Sequence, residues 1–254
     1  MTRIIAIANQ KGGVGKTTTA INLVSALAHA GYRGLLIDMD PQGNATVGCG
    51  VTVGETEASI YEVLLGEADM ADTVIRASGG FRVLPSHPDL SGAQVELNVL
   101  DRREHRLGSA LATVIHEYDN VLIDCPPVLN ILTVNALTAA REVLIPVQCE
   151  YLALEGLASL MKTIRLVREG LNPELEIVGL VRTMFDGRNT LAREVSEQLT
   201  EHFPDKLFRT VVPRNIRLAE APGYGRPVLD YDRRCAGSQA YLALMSELLR
   251  RKPK

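Results

Sequence analysis

Residues 4–19 read IIAIANQKGGVGKTTT: a short run of isoleucine and alanine, a loop holding Gly12, Gly13 and Gly15, then Lys16 and Thr17 at the head of a helical pattern. This junction constrains the chain more than any other segment, because a buried strand that turns through glycine into a helix is the opening of a parallel α/β unit. With no side chains at the three glycines, consecutive backbone N–H groups can turn inward as an anion nest at the helix start. Lys16 adds a full charge for terminal phosphates, and Thr17 a hydroxyl suited to a magnesium ion bridging them. Val14 and Thr18 complete the contact set. The implied ligand is a nucleoside triphosphate. A strict phosphate-loop pattern places glycine five positions before Gly15; here that position is Gln10, and a second lysine, Lys11, follows it.

The rest of the chain repeats the alternation of short apolar runs and longer helical periods. Strands are expected at Arg3–Ala8, Gly34–Met39, Phe81–Leu84, Asn120–Cys125, Glu142–Gln148, Ile177–Thr183 and Leu207–Val211. Helices are expected at Thr17–Ala30, His105–Glu117, Leu154–Glu169, Leu191–Phe203 and Ser238–Arg251. Nearly all the strands are continuously apolar, as strands covered on both faces must be. The expected fold is a single P-loop domain over residues 1–254, α/β, with a doubly wound, mostly parallel sheet and helices on both faces. The last helix carries its stripe at Tyr241, Leu242, Met245, Leu248 and Leu249, which suits packing on the sheet.

No apolar stretch is long enough to span a bilayer, and residues 1–8 read as a strand and not as a cleavable leader, so a cytoplasmic protein is expected. The four cysteines form no CxxC pair and suggest neither zinc nor a disulfide framework. Net charge is −3 but unevenly placed: residues 1–150 carry 10 Lys/Arg against 17 Asp/Glu, and residues 151–254 carry 17 against 13. The basic later half includes six arginines between Arg209 and Arg234. Such a stretch suits phosphate-backbone contact, or simply a solvated face.

Acidic residues fall where a metal nucleotide needs them. Asp38 and Asp40 follow the second strand, two residues apart on an extended segment, so that both point the same way. Asp40 is placed to orient or deprotonate a water, or merely to start the turn Asp-Pro-Gln-Gly; Asp38 is placed to hold metal-bound water. Asp124 closes the run VLID and suits the acid that reaches the metal's water shell, or a cap ahead of Pro126. Pro126 and Pro127 stiffen the exit loop near the expected terminal phosphate.

The motifs KGGVGKTT, DMDPQGNAT, IDCPP, QCEYLALEGL, TMFDGR and PRNIRLAEAPGYGRPV together resemble the ParA/Soj family of partition ATPases, a deviant-Walker branch that also contains MinD. The similarity runs nearly end to end. The resemblance implies an ATPase using ATP and Mg2+, in which Lys11, Lys16 and Asp40 serve hydrolysis. It implies that Lys11 reaches across a nucleotide-sandwich homodimer and that Gly12 packs at its interface. Pro213 and Asn215 match adenine contacts, with Thr183 and Met184 beside them. Arg188 and Arg217 match arginines that bind double-stranded DNA without sequence preference, implying a nucleoid-associated protein, no membrane attachment and a ParB/Spo0J-type partner. The chain opens at its first strand, where larger plasmid relatives carry a DNA-reading domain, so specific DNA reading is not expected. A MinD-like membrane regulator of division is the alternative; it requires a detachable amphipathic C-terminal helix, and its loop is expected to open with Ser-Gly where this chain has Asn-Gln. An electron carrier holding an iron–sulfur cluster requires cysteines after specific strands; Cys125 and Cys149 are so placed, but both suit buried packing.

Overall fold

The computed structural model describes residues 2–52 and 57–251. Among them eight strands form one sheet: β1 (Arg3–Ile7), β2 (Gly34–Asp38), β3 (Ile75–Arg76), β4 (Arg82–Leu84), β5 (Asn120–Asp124), β6 (Glu142–Gln148), β7 (Glu176–Phe185) and β8 (Leu207–Pro213). Their order is β3-β4-β2-β5-β1-β6-β7-β8, and every pairing is parallel except β3 with β4. The doubly wound, mostly parallel sheet expected from the sequence is present.

The alternation of side chains explains why these strands read as unbroken apolar runs. Ile4 and Ala6 of β1, Leu35 and Ile37 of β2, and Val121 and Ile123 of β5 enter one core. Ile5, Ile7, Leu36 and Leu122 enter the other. Both faces are covered, so no position on a central strand is left for a solvated side chain. The first face is covered by the helices Arg106–Val114, Ile131–Ala139, Ala153–Gly170 and Thr190–His202; the second by Lys16–His29 and Ala236–Arg250.

Local differences from the sequence expectation have local causes. β3 is only two residues long and antiparallel, too short to leave a periodic signal. Ile131–Ala139 is helical although Ile131, Thr133 and Val134 disfavour helix. There the Asn130 side chain accepts hydrogen bonds from the N–H groups of Leu132 and Thr133, each at 3.1 Å, and fixes the first turn. The helix expected at His105–Glu117 is α-helical only over Arg106–Val114, with a 3₁₀ turn at each end.

The C-terminal helix is built into the domain. Tyr241, Leu244, Met245 and Leu248 are buried on the second core. Arg3 donates to the Leu248 carbonyl at 2.8 Å, and the Arg251 guanidinium lies 3.8 Å from the Phe208 ring centroid while donating to the carbonyls of Val178, Lys206 and Leu207. Among the described residues no helix is long and apolar enough to cross a membrane.

Candidate nucleotide and metal site

β1 lies between β5 and β6, and the chain leaves β1 toward β2 on one side while β6 and β7 extend the sheet on the other. This is the topological switch point, where open α/β sheets place their ligands beyond the carboxyl ends of the strands. A cleft of about 570 Å³ opens there, lined by Gly12–Thr18 except Val14, by Asp40, Gln42, Asn44 and Pro127, and on its far wall by Thr183, Met184 and Val212–Asn215.

Backbone conformation and hydrogen bonds fix the shape of the loop. Gly13 and Gly15 take φ of 73° and 83°, which side-chain-bearing residues adopt at a cost. Asn9 donates to the Pro146 carbonyl at 2.7 Å and accepts from the Lys11 N–H at 3.0 Å. Gln10 bonds Thr163 and Ser159 on the Ala153–Gly170 helix. Asn9 and Gln10, the latter at the usual glycine position, thus pin the loop to β6 and to the Ala153–Gly170 helix. From the other side Thr183 Oγ1 donates to the Val14 carbonyl at 2.8 Å.

Lys16 is 7% exposed, and its Nζ donates to the Lys11 carbonyl at 3.2 Å. Burial lowers its pKa, and the carboxyl of Asp124 acts in the opposite sense. Lys11 turns elsewhere: its ammonium group sits 2.9 Å from Glu150 Oε2, at the end of β6. Glu150 is also bonded by Gln148. The two lysines of one loop therefore serve different places.

Asp124 is fully buried, and neither carboxylate oxygen has a hydrogen-bond partner among the described residues. Burial and then the neighbouring Asp38 raise its pKa well above the usual carboxylate range, opposed by Thr17 and Lys16. An orphaned buried carboxyl beside a threonine hydroxyl and a phosphate cradle fits a hydrated magnesium ion, which takes few protein ligands and several waters. Thr17 would hold it directly and Asp124 through water; bound there, it neutralises charge on the phosphates.

Asp38 and Asp40 separate in role. Asp40 lines the cleft. Asp38 is fully buried and already occupied: Oδ2 accepts from the Thr46 N–H at 2.8 Å and hydroxyl at 2.7 Å, and Oδ1 from the Asp40 N–H at 3.2 Å. Burial pushes its pKa up to about 6. Asp38 also lies level with Asp124 as its partner on the neighbouring strand β5. The backbone after β2 turns at Asp40, whose carbonyl accepts from Ser86 Oγ at 2.7 Å and from the Gly43 N–H at 2.9 Å, so Asp38 anchors the Asn44–Gly48 helix.

Pro213 and Asn215 sit together at the end of β8, and Asn215 caps the Ile216–Glu220 helix by accepting from the Arg217 N–H at 3.0 Å. Facing them, Met184 holds a φ of 48°, so β7 kinks at the cleft wall. Gln42, Asn44, Arg214 and Tyr241 also line the cleft without having been expected. The PQGN turn signalled the first two; Tyr241 looked like core, and its hydroxyl bonds buried Thr19 at 3.2 Å. Arg188 and Arg217 stand outside the cleft. Each is paired, Arg188 with Asp186 at 2.7 Å, and Arg217 with Glu220 at 2.8 Å and Asp232 at 3.5 Å.

Comparison with known proteins bears on this geometry. Residues 2–177 match the family model described as an AAA domain. The chromosome partitioning protein ParA of Caulobacter vibrioides is 54% identical over 252 residues, covering 98% of this chain and 94% of that protein. The sporulation initiation inhibitor protein Soj of Bacillus subtilis is 50% identical over 250 residues, covering 98% of each. Among solved structures, cobyrinic acid a,c-diamide synthase from Mycobacterium smegmatis with bound ADP and magnesium is 37% identical with a TM-score of 0.87, covering 98% of this chain and 95% of that one. The cell division ATPase MinD of Pyrococcus furiosus is 27% identical with a TM-score of 0.81, covering 98% and 99%.

Proposed function

This chain belongs to the ParA/Soj family of chromosome-partitioning ATPases and hydrolyses ATP with magnesium, and we propose that it works as an ATP-controlled DNA-segregation switch. Two copies close face to face over bound ATP, the closed dimer holds duplex DNA through its phosphate backbone, and hydrolysis stimulated by a ParB/Spo0J-type partner releases it. The protein is then nucleoid-associated while ATP lasts.

The observation that carries this reading is the divergence of the two lysines. Lys16 lies inside its own cradle, whereas Lys11 points away from it toward Glu150, in a region where Gly12 and Gly13 are exposed. The loops after β5 and β6 expose Val128, Leu129, Tyr151 and Leu152. A second copy on this face would cover those apolar groups and draw Lys11 from Glu150 to its neighbour's phosphates. Asp40, lining the cleft next to the phosphate loop, orients the attacking water.

Arg188 and Arg217 contact DNA in this scheme, exchanging their intramolecular carboxylates for phosphates. A two-fold dimer doubles the number of phosphates engaged, and affinity depends steeply on that number. The test is duplex-DNA binding with no nucleotide, ADP or ATP, for the native protein, Asp40→Ala and Arg217→Glu. ATP-dependent binding that persists in Asp40→Ala and is lost in Arg217→Glu, with basal ATPase retained, is expected. Equal DNA affinity in all three nucleotide states would refute the coupling.

A further inference from the structure

At the opposite end of β2 from Asp38 the sheet carries a second cavity, of about 510 Å³, lined by Arg33, Arg76, Arg82, Phe81, Glu117 and Tyr118 together with Gly34 and Gly80. Arg76 and Arg82 are direct partners on the antiparallel rung between β3 and β4. Ile75 and Val83, on the next rung, turn toward the second core, so the two arginine side chains leave the opposite face of the sheet together. Like charges directly opposite each other on a ladder repel and destabilise the pair. Neither guanidinium has a carboxylate within 4 Å among the described residues. Arg33 differs: its fork is spent on Asp119, at 2.8 and 3.2 Å. Glu117 is the one carboxylate among the lining residues, and it is exposed and forms no ion pair among the described residues.

From this arrangement we propose that Arg76 and Arg82 form an anion site that takes a small phosphate-bearing ligand, separate from the nucleotide cleft. Two arginines that share one rung of the ladder and line one cavity can both donate to the oxygens of a single phosphate, and the anion removes the repulsion that the ladder otherwise carries. Tyr118 lines the same cavity and offers its hydroxyl as a further donor. A concave pocket of this size admits a free phosphate or the phosphates of a nucleotide and is too narrow to seat a duplex. The assignment is independent of the DNA-segregation reading and stands or falls separately from it.

The experiment uses full-length protein labelled with 15N-arginine, its phosphate loop saturated with Mg-ADP, titrated with sodium phosphate at ionic strength held constant with chloride. A second arm titrates ADP beyond one equivalent and distinguishes a nucleotide from an inorganic anion. Saturable shifts of the Arg76 and Arg82 Nε–H resonances are expected, at least about tenfold weaker in Arg76→Ala and tighter in Glu117→Gln. Unfolding temperature supplies the control: in chloride Arg76→Ala should match or exceed the native protein, while losing the phosphate-dependent rise. Shifts that never saturate, affinity unchanged in Arg76→Ala, or an Arg76→Ala protein less stable in chloride would each overturn the site.

Discussion

Replacing Leu244 by alanine tests whether the C-terminal helix is part of the ATPase core or an appendage. Leu244 is fully buried against the second core, on the same stripe as Tyr241 and Leu248. Leu→Ala removes three carbons from an apolar environment, about 2.4 kcal/mol at roughly 0.8 per methylene. A residual void of about 60 Å³ adds about 1.5 kcal/mol at roughly 24 cal/mol per Å³. The expected loss is therefore about 4 kcal/mol. In a chain of this length that lowers the unfolding midpoint by about 8–16 °C. The assay is thermal unfolding followed by circular dichroism at a fixed Mg-ADP concentration, because ligand linkage otherwise shifts the midpoint. Leu242→Ala, on the half-buried side of the same helix, is the control and should cost under about 2 kcal/mol. If Leu244→Ala cost under about 1 kcal/mol, or melted one helix while the sheet stayed folded, the packed assignment would fail and a detachable membrane-binding helix would return.

Asn215→Ala removes the cap of the Ile216–Glu220 helix and should cost about 1 kcal/mol, with ATP affinity reduced more than ADP-independent stability, as read by calorimetric titration. Arg188 holds the Asp186 carboxyl down to about 2, so Arg188→Ala should return it to the ordinary carboxylate range. The sign follows: the contribution of this pair is present above the ordinary Asp pKa and fades as pH falls toward about 2, and a carboxyl 13C titration by NMR measures it. Gly179→Ala places a methyl 2.5 Å from the Lys206 carbonyl and against Phe208 and Arg251, a contact with backbone that cannot give way. A loss of about 1–3 kcal/mol in urea unfolding is expected, and a neutral result would show that β7 and β8 separate more easily than their packing suggests.

Some of the site was legible because its chemistry needs contiguous residues. The phosphate loop, from Lys11 to Thr18, is one continuous segment whose glycines, lysine and threonine each meet a requirement of phosphate binding. Asp124 was legible because a carboxyl directly after three apolar strand residues has little reason to be there without a ligand. Asp38 shows the limit. Its place at the end of a strand was visible, but only the position of Thr46 reveals that its carboxylate also anchors the Asn44–Gly48 helix. Gln10 is similar: its departure from the glycine pattern was visible, while its bonds to Thr163 and Ser159 were not, since those partners lie about 150 residues away.

The sequence by itself determined the parallel sheet and the phosphate cradle, because backbone geometry, burial on two faces and anion binding are satisfied by local residue order. Tertiary structure alone decided that Asp38 anchors the Asn44–Gly48 helix, where Lys11 points, that Tyr241 reaches the cleft and that Arg76 stands opposite Arg82. These depend on which strands become neighbours and how far a turn rotates a side chain, and long-range packing sets both.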